Sequence, residues 1–291
     1  MTRTPDAATA TAAADTATAT AAADTATGPA APLPSQSPSQ VPSPRRLSGV
    51  AEVARYNWPL YAAGSLTAAV GIALSRRLTG TPAAVARIGA LAATGLLTSS
   101  TLATWCVYDR SELRSLDWLP DLLPDGPGDH LIVSTGLDEA SLPFAARWPD
   151  GRQLTADLYD PDRMTEGSIR RARRKVAPVP GTLPGRPDAL PAGGAELDTV
   201  VCLFSAHELR RPVDRAALFG ECVRVLRPGG TLLLVEHLRD TANAAVYGPG
   251  AWHFRTRRTW LDHAVGAGLR PAGERRIAGL VTAFAFRRSA G

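Results

Sequence analysis

The stretch Leu218–His237, LFGECVRVLRPGGTLLLVEH, changes its periodicity halfway along, and that change decides the fold. Up to Val225 the apolar residues recur at helical spacing, and the pattern predicts a helix over 212–226. Pro228 stops it, because proline brings no N–H and its ring crowds the preceding turn. Gly229 and Gly230 then supply the positive dihedrals of a tight turn. Thr231–Val235 is an unbroken apolar run, the mark of a strand buried on both faces, and it ends at Glu236 and His237.

Working outward, the same alternation recurs. His130–Val133 predicts a first strand that opens into Ser134-Thr135-Gly136-Leu137-Asp138-Glu139. Gln153–Ala156 predicts a second, ending at Asp157, and Thr199–Phe204 a third, ending at Ser205-Ala206-His207-Glu208. A helix near 256–267 and a last strand over Leu280–Phe286 follow. Strands alternating with helices imply an α/β domain over 129–291, a Rossmann-like doubly wound sheet, mostly parallel and seven-stranded. Ligands of such sheets bind beyond the carboxyl ends of the strands, where apolar runs give way to small and polar residues. Each of the ends just named is a candidate site.

The segment Leu218–His237 resembles the helix–turn–strand of class I S-adenosylmethionine-dependent methyltransferases, in which a glutamate, Arg-Val-Leu-Arg-Pro-Gly-Gly and an apolar strand follow one another. The resemblance implies S-adenosylmethionine as cofactor and places its contacts. Ser134, Gly136 and Asp138 would lie in the loop beneath the methionine and ribose, although the family usually has two or three glycines where this chain has one. Asp157 would accept both ribose hydroxyls, with Asp160 as its rival, and Leu158 or Tyr159 would lie on the adenine face. Asp188 and Ala189, in Asp-Ala-Leu-Pro, would meet the adenine amino group, in a segment shorter than the family's. Ser205 begins the turn after the third strand, and His207 and Glu208 stand on the acceptor side, where a histidine can take a proton before methyl transfer. Glu236-His237 ends the neighbouring strand, so two His/Glu pairs can face one cleft. The loop 241–255, which contains His253, is the candidate cover.

No metal site is expected. His207-Glu208 lacks the second histidine of a zinc-protease motif, since Arg211 stands at that position, and Cys106, Cys202 and Cys222 are too isolated for a structural zinc site or a disulfide framework. A nicotinamide reductase is disfavoured because Ser134–Glu139 does not carry Gly-x-Gly-x-x-Gly.

Upstream, residues 1–47 are Ala, Thr, Ser and Pro with a duplicated AAADTAT at 12–18 and 21–27, a composition expected to stay disordered. Two stretches without charge, Tyr56–Ser75 and Ile88–Tyr108, have about the 20 residues that span a bilayer, with Trp58, Tyr61, Trp105 and Tyr108 near their ends. They predict a two-helix membrane hairpin over 48–108, with a soluble hairpin packed on the domain as the alternative. Residues 109–128 carry leucines at near-helical spacing and predict an amphipathic junction resting on lipid or on the domain. The net charge is +5, and all but Lys175 of the 32 basic residues are arginines. The run RRARRK at 170–175 reads as a solvated helix face or a contact for anionic lipid; nucleic acid is not expected, because no aromatic residues interleave to stack on bases.

The expectation is a methyltransferase for a small, lipophilic acceptor, held at the cell membrane with its catalytic domain in the cytoplasm and without an obligate protein partner. The alternative is a non-catalytic membrane protein of methyltransferase fold with a binding or scaffold role.

Overall fold

The computed structural model describes residues 48–290, so the expected tail at 1–47 lies outside the described residues. Two long helices come first, α1 (Gly49–Arg77) and α2 (Gly80–Trp105). The domain then runs β1 (His130–Ser134), α3 (Ser141–Arg147), β2 (Gln153–Asp157), α4 (Gly167–Lys175), β3 (Leu183–Pro184), β4 (Leu197–Leu203), α5 (Pro212–Val225), β5 (Leu226–His237), α6 (Thr241–Tyr247), α7 (Arg257–Gly266), β6 (Leu269–Ile277) and β7 (Val281–Arg288).

The strands form a seven-stranded sheet in the order β3-β2-β1-β4-β5-β7-β6. The first five strands are mutually parallel, and β7 runs antiparallel to both β5 and β6. This is the expected Rossmann-like doubly wound sheet. Alternate residues of the central strands feed two separate cores. Leu131, Val133, Val200, Cys202, Leu232 and Leu234 pack with α5 and α7 on one face. Ile132, Val201, Leu203, Leu233 and Val235 turn to the other face.

That second face is covered by the junction. Leu113, Leu116, Trp118, Leu119 and Leu123 are all buried against it, together with Ala103 and Val107 from the end of the hairpin. The expected amphipathic element therefore rests on the domain. It is not a helix of any length: α2 loosens into a π-turn over Cys106–Arg110, turns follow, and a single 3-10 turn spans Leu119–Asp121. Trp118 is fully buried, and its indole N–H donates to the Leu113 carbonyl at 3.2 Å.

The helices of the hairpin pack on one another and meet the domain through α4 and α6, while much of their remaining surface is bare, with Leu60, Leu66, Ile88 and Leu91 among the exposed apolar side chains. Pro59 interrupts α1, and Asn57 leaves helical geometry two residues earlier (φ −108°, ψ 17°), which kinks the helix. At the kink the Tyr56 carbonyl accepts from Arg171 Nε of α4. Farther along, Ser99 and Ser100 donate to the Val246 carbonyl at the end of α6, at 2.8 and 3.0 Å. Both helices are thereby fixed over the carboxyl edge of the sheet, where the candidate residues stand.

Candidate active site beneath the helical hairpin

The first half of the site is the turn after β1. Gly136 has φ +101°, a conformation natural to glycine, and a Cβ there would stand 2.7 Å from the Tyr159 ring and 3.2 Å from Ile169. Its N–H donates to Asp157 Oδ1 at 2.8 Å, and Tyr159 N–H and Ser134 Oγ donate to the same oxygen at 3.1 and 3.3 Å. The other carboxylate oxygen of Asp157 is 2.6 Å from Arg173 Nη1, and the Arg173 guanidinium lies over the Tyr159 ring. Asp157 thus holds the turn together, and its one remaining acceptor is taken by an arginine from α4. The run RRARRK is accordingly not a uniformly solvated face: Arg171 and Arg173 turn inward to α1 and to Asp157, while Arg170, Arg174 and Lys175 stay exposed. Asp138 Oδ1 accepts from the Ala140 and Ser141 N–H groups at the start of α3, and Asp138 Oδ2 is buried without a partner.

Three expected contacts fall elsewhere. Leu158 points into the core, so of the two candidates for the adenine face only Tyr159 stands beside the loop. Asp188 and Ala189 are on the exposed surface, where Asp188 pairs with Arg186 at 2.9 Å. The short β3 ends before them and leaves them on a bridge of their own between Arg186 and Ala189. Ser205 is buried; its carbonyl accepts from Thr135 Oγ1, and its own hydroxyl has no partner.

The second half follows β4. Phe204 takes a positive φ of 51°, unusual for a side chain of that size, and the chain turns sharply into the 3-10 turn Ala206–Glu208. Because β4 and β5 are paired with Leu203 opposite Val235, this turn sets His207 beside Glu236. Glu236, fully buried, accepts the His207 backbone N–H at 3.1 Å and bonds its Nδ1 at 2.7 Å. His207 Nε2 faces Glu208 Oε1 at 3.4 Å. The fold then adds what spacing could not show. His253, far along the chain, brings its ring edge-on to His207 with centroids 5.2 Å apart. Arg210 donates to the His253 carbonyl, contacts both nitrogens of its ring and bonds Glu166 at 2.6 Å.

Burial opposes charge on His207, but Glu236 and Glu208 outweigh it and push the imidazole up to about 10. Burial likewise works against the Glu208 carboxylate, yet His207 beside it holds that group below the usual range. His253 is pushed down to about 3 by burial and then by the positive neighbours His207 and Arg210. Two histidines whose rings touch are thereby set far apart in protonation.

Both halves open into one cavity of about 1260 Å³. Its floor is Ser134, Gly136 and Asp138 at one end and His207, Glu208 and His253 at the other. Its roof is the hairpin, through Tyr56, Leu60, Tyr61, Leu96 and Leu97. Phe204, His237, Tyr247 and Phe254 stack into an aromatic back wall, with His237 lying 5.2 Å from Phe204 and 4.9 Å from Phe254. The sequence does not single out Glu166 and Arg210, it gives Arg173 only within RRARRK, and it gives a hairpin over the domain only as the alternative. For Arg173 a signal existed: Ile169 and Ala172 mark the inner face of α4, and Arg173 adjoins it.

Residues 151–234 match a family described as a methyltransferase domain. The match runs from the approach to β2 into β5, less than half of the chain, and agrees with the sheet order above. The match and the sheet both fall in the part of the chain after the hairpin. The chain is similar to the ubiquinone/menaquinone biosynthesis C-methyltransferase UbiE of a Ruegeria species, 30% identical over 121 residues that make up 41% of this chain and 47% of that protein. It is similar to the protein of the same name from Paracoccus denitrificans, 30% identical over 122 residues, 42% of this chain and 46% of that one. The chain thus spans just under half the length of the curated relatives it matches. Among solved structures, an O-methyltransferase family 2 protein from Planctomyces limnophilus, in complex with apigenin, aligns with 72% of each chain at 15% identity and a TM-score of 0.46.

Proposed function

We propose that this protein transfers a methyl group from S-adenosylmethionine to a small lipophilic acceptor that enters the cavity beneath the hairpin. The single observation that carries the reading is the continuity of that cavity, from the β1 turn at Gly136 to His207 and on to the apolar roof at Leu60 and Leu97. A cofactor at the strand ends and an apolar acceptor would share one compartment.

The residues fit the cofactor in kind. Ser134, Gly136 and Asp138 would lie along its methionine and ribose, and the buried, unpartnered Asp138 Oδ2 is an acceptor suited to the methionine ammonium. Asp157 would accept the ribose hydroxyls once Arg173 lets go of it. Bound there, the cofactor supplies an electrophilic methyl on a sulfonium, and the protein's task is alignment. His207, held by Glu236 at its Nδ1, would face the acceptor and position its oxygen; protonated it donates to an ionised acceptor, and neutral it serves as the general base expected from the sequence. The relatives are named for ubiquinone/menaquinone biosynthesis, and a lipophilic acceptor of that kind suits the aromatic back wall. The exposed apolar helices α1 and α2, each long enough to cross a bilayer, would hold the chain at the membrane with the domain on the cytoplasmic side.

Full-length protein incubated with methyl-labelled S-adenosylmethionine and a membrane lipid extract should move label into the organic phase. Gly136→Val should abolish both this transfer and calorimetric binding of S-adenosylhomocysteine, because the new side chain meets Tyr159. Label that stays aqueous with every lipid fraction would refute the lipophilic acceptor.

A second reading, a non-catalytic protein of the same fold, is favoured by one observation: Asp157 is already satisfied by Gly136, Tyr159 and Arg173. A thermal shift on adding S-adenosylhomocysteine separates the two, since only the first reading expects stabilisation.

A further inference from the structure

We propose that His207, Glu208 and His253 form a binding site for a divalent first-row metal ion, zinc in the first instance, at the acceptor end of the cavity. One potential ligand atom from each of these three residues lies within 4.8 Å of those of the other two. Zinc bonds of about 2.0–2.2 Å hold tetrahedral ligands about 3.4 Å apart, the separation that His207 Nε2 and Glu208 Oε1 already have at 3.4 Å. Two histidines and one carboxylate are a donor set that leaves a zinc ion a further position, here facing the cavity, as in sites that bind substrate and unlike closed structural sites.

Two further observations point to a cation. Glu208 is 7% exposed at its side chain, and its Oε2 is buried without a hydrogen-bond partner. An orphaned carboxylate oxygen in a wall is costly unless a positive group meets it. His207 also gives its Nδ1 to the buried Glu236 at 2.7 Å, which leaves Nε2, 3.4 Å from Glu208 Oε1, as its potential ligand nitrogen. A carboxylate behind a ligand histidine is the usual way a metal-bound imidazole is oriented. The charges agree. Metal binding displaces the proton from His207; Glu166, Glu208 and Glu236 then bring three negative charges, Arg210 brings one positive, and a dication closes the balance.

Arg210 is the group that stands in the way. It lies against both ring nitrogens of His253 while also holding Glu166 and the His253 carbonyl. To ligate, the half-buried His253 ring must rotate off the guanidinium, which keeps its other two partners. Such an ion would fix an acceptor oxygen or carboxylate in the cavity. The site stands on this geometry and does not need the methyltransferase reading to hold.

The test uses the full-length protein, stripped with a chelator and titrated with Co2+ or Zn2+ alone. Saturation at one equivalent, with visible d–d absorption for Co2+, is expected. Glu208→Gln and His253→Ala should lose the tight site, Glu236→Gln should weaken it about 10–100-fold, and His263→Ala, outside the cavity, should leave it unchanged; circular dichroism checks each fold. X-ray absorption on the zinc-loaded wild type should show nitrogen and oxygen ligands with scattering from two imidazoles. Absence of saturable binding, equal affinity in the Glu208 and His253 variants, or a shell containing sulfur would overturn the proposal. S-adenosylhomocysteine binding, measured alongside, keeps the outcomes separate: its loss removes the methyltransferase reading and leaves the metal site untouched.

Discussion

Arg173 sits on the oxygen of Asp157 that a ribose would need, at 2.6 Å and only 30% exposed. In the proposed mode of binding the ligand must first break that pair, which would reduce the apparent affinity by the fraction of molecules in which it is broken. Arg173→Gln should therefore tighten S-adenosylhomocysteine by roughly tenfold, about 1.4 kcal/mol, in a calorimetric titration. Asp157→Ala should lose binding by two routes, since the same carboxylate anchors the Gly136 turn. His237 makes a different prediction. Burial pushes its imidazole down to about 4, and its Nδ1 is held by Asn243 and the Leu280 carbonyl at 3.2 Å each. A histidine whose folded value lies below its unfolded one stabilises the fold above the unfolded value, near 6.5, and that contribution fades as pH falls towards 4. The loss amounts to about 3 kcal/mol by the lower end. Denaturation of His237→Phe across pH 7 to 4 should show a correspondingly shallower decline; an unchanged slope would place the proton uptake elsewhere.

Among the elements, the junction carries more weight than its irregular backbone suggests. Trp118 and its neighbouring leucines cover a sheet face that would otherwise be open to water, so Trp118→Ala should cost about 3–5 kcal/mol in chemical denaturation. A variant within 1 kcal/mol of wild type would mean that this layer is dispensable. The leucine spacing of 109–128 is legible as an amphipathic junction. What it marks is a chain following the sheet surface, with turns in place of helical hydrogen bonds. Strands of the central sheet were legible because burial on both faces makes them unbroken apolar runs. β3 and β6 were not: β3 is two residues long, and β6 lies at the edge, mostly exposed, with Arg270, Glu274, Arg275 and Arg276 along it.

For the molecule as a whole, the question is what the hairpin does. As a roof it lines the cavity with Leu60, Leu96 and Leu97, and in the proposed reading the apolar side chains left exposed on its helices would face lipid. The full-length chain should stay with the membrane pellet after carbonate extraction. In the labelling assay, Leu60→Asp and Leu97→Asp should reduce transfer to a lipophilic acceptor while leaving S-adenosylhomocysteine affinity within about twofold, because both residues lie on the roof and away from the β1 turn. Equal losses of transfer and affinity would show that the roof belongs to the cofactor.

From its own order of residues this protein declares an α/β sheet, the helix–turn–strand at Leu218–His237 and the strand ends where polar residues gather, because periodicity and turn chemistry are local properties. It also places Gly136, Asp157 and His207 at those ends. Tertiary structure alone decides that Arg173 closes on Asp157, that Glu236 clamps His207, that His253 arrives beside Glu208, and that Asp188 faces water. Such pairings depend on which elements meet at the sheet's edge, and residues far apart in sequence carry no mark of whom they will meet.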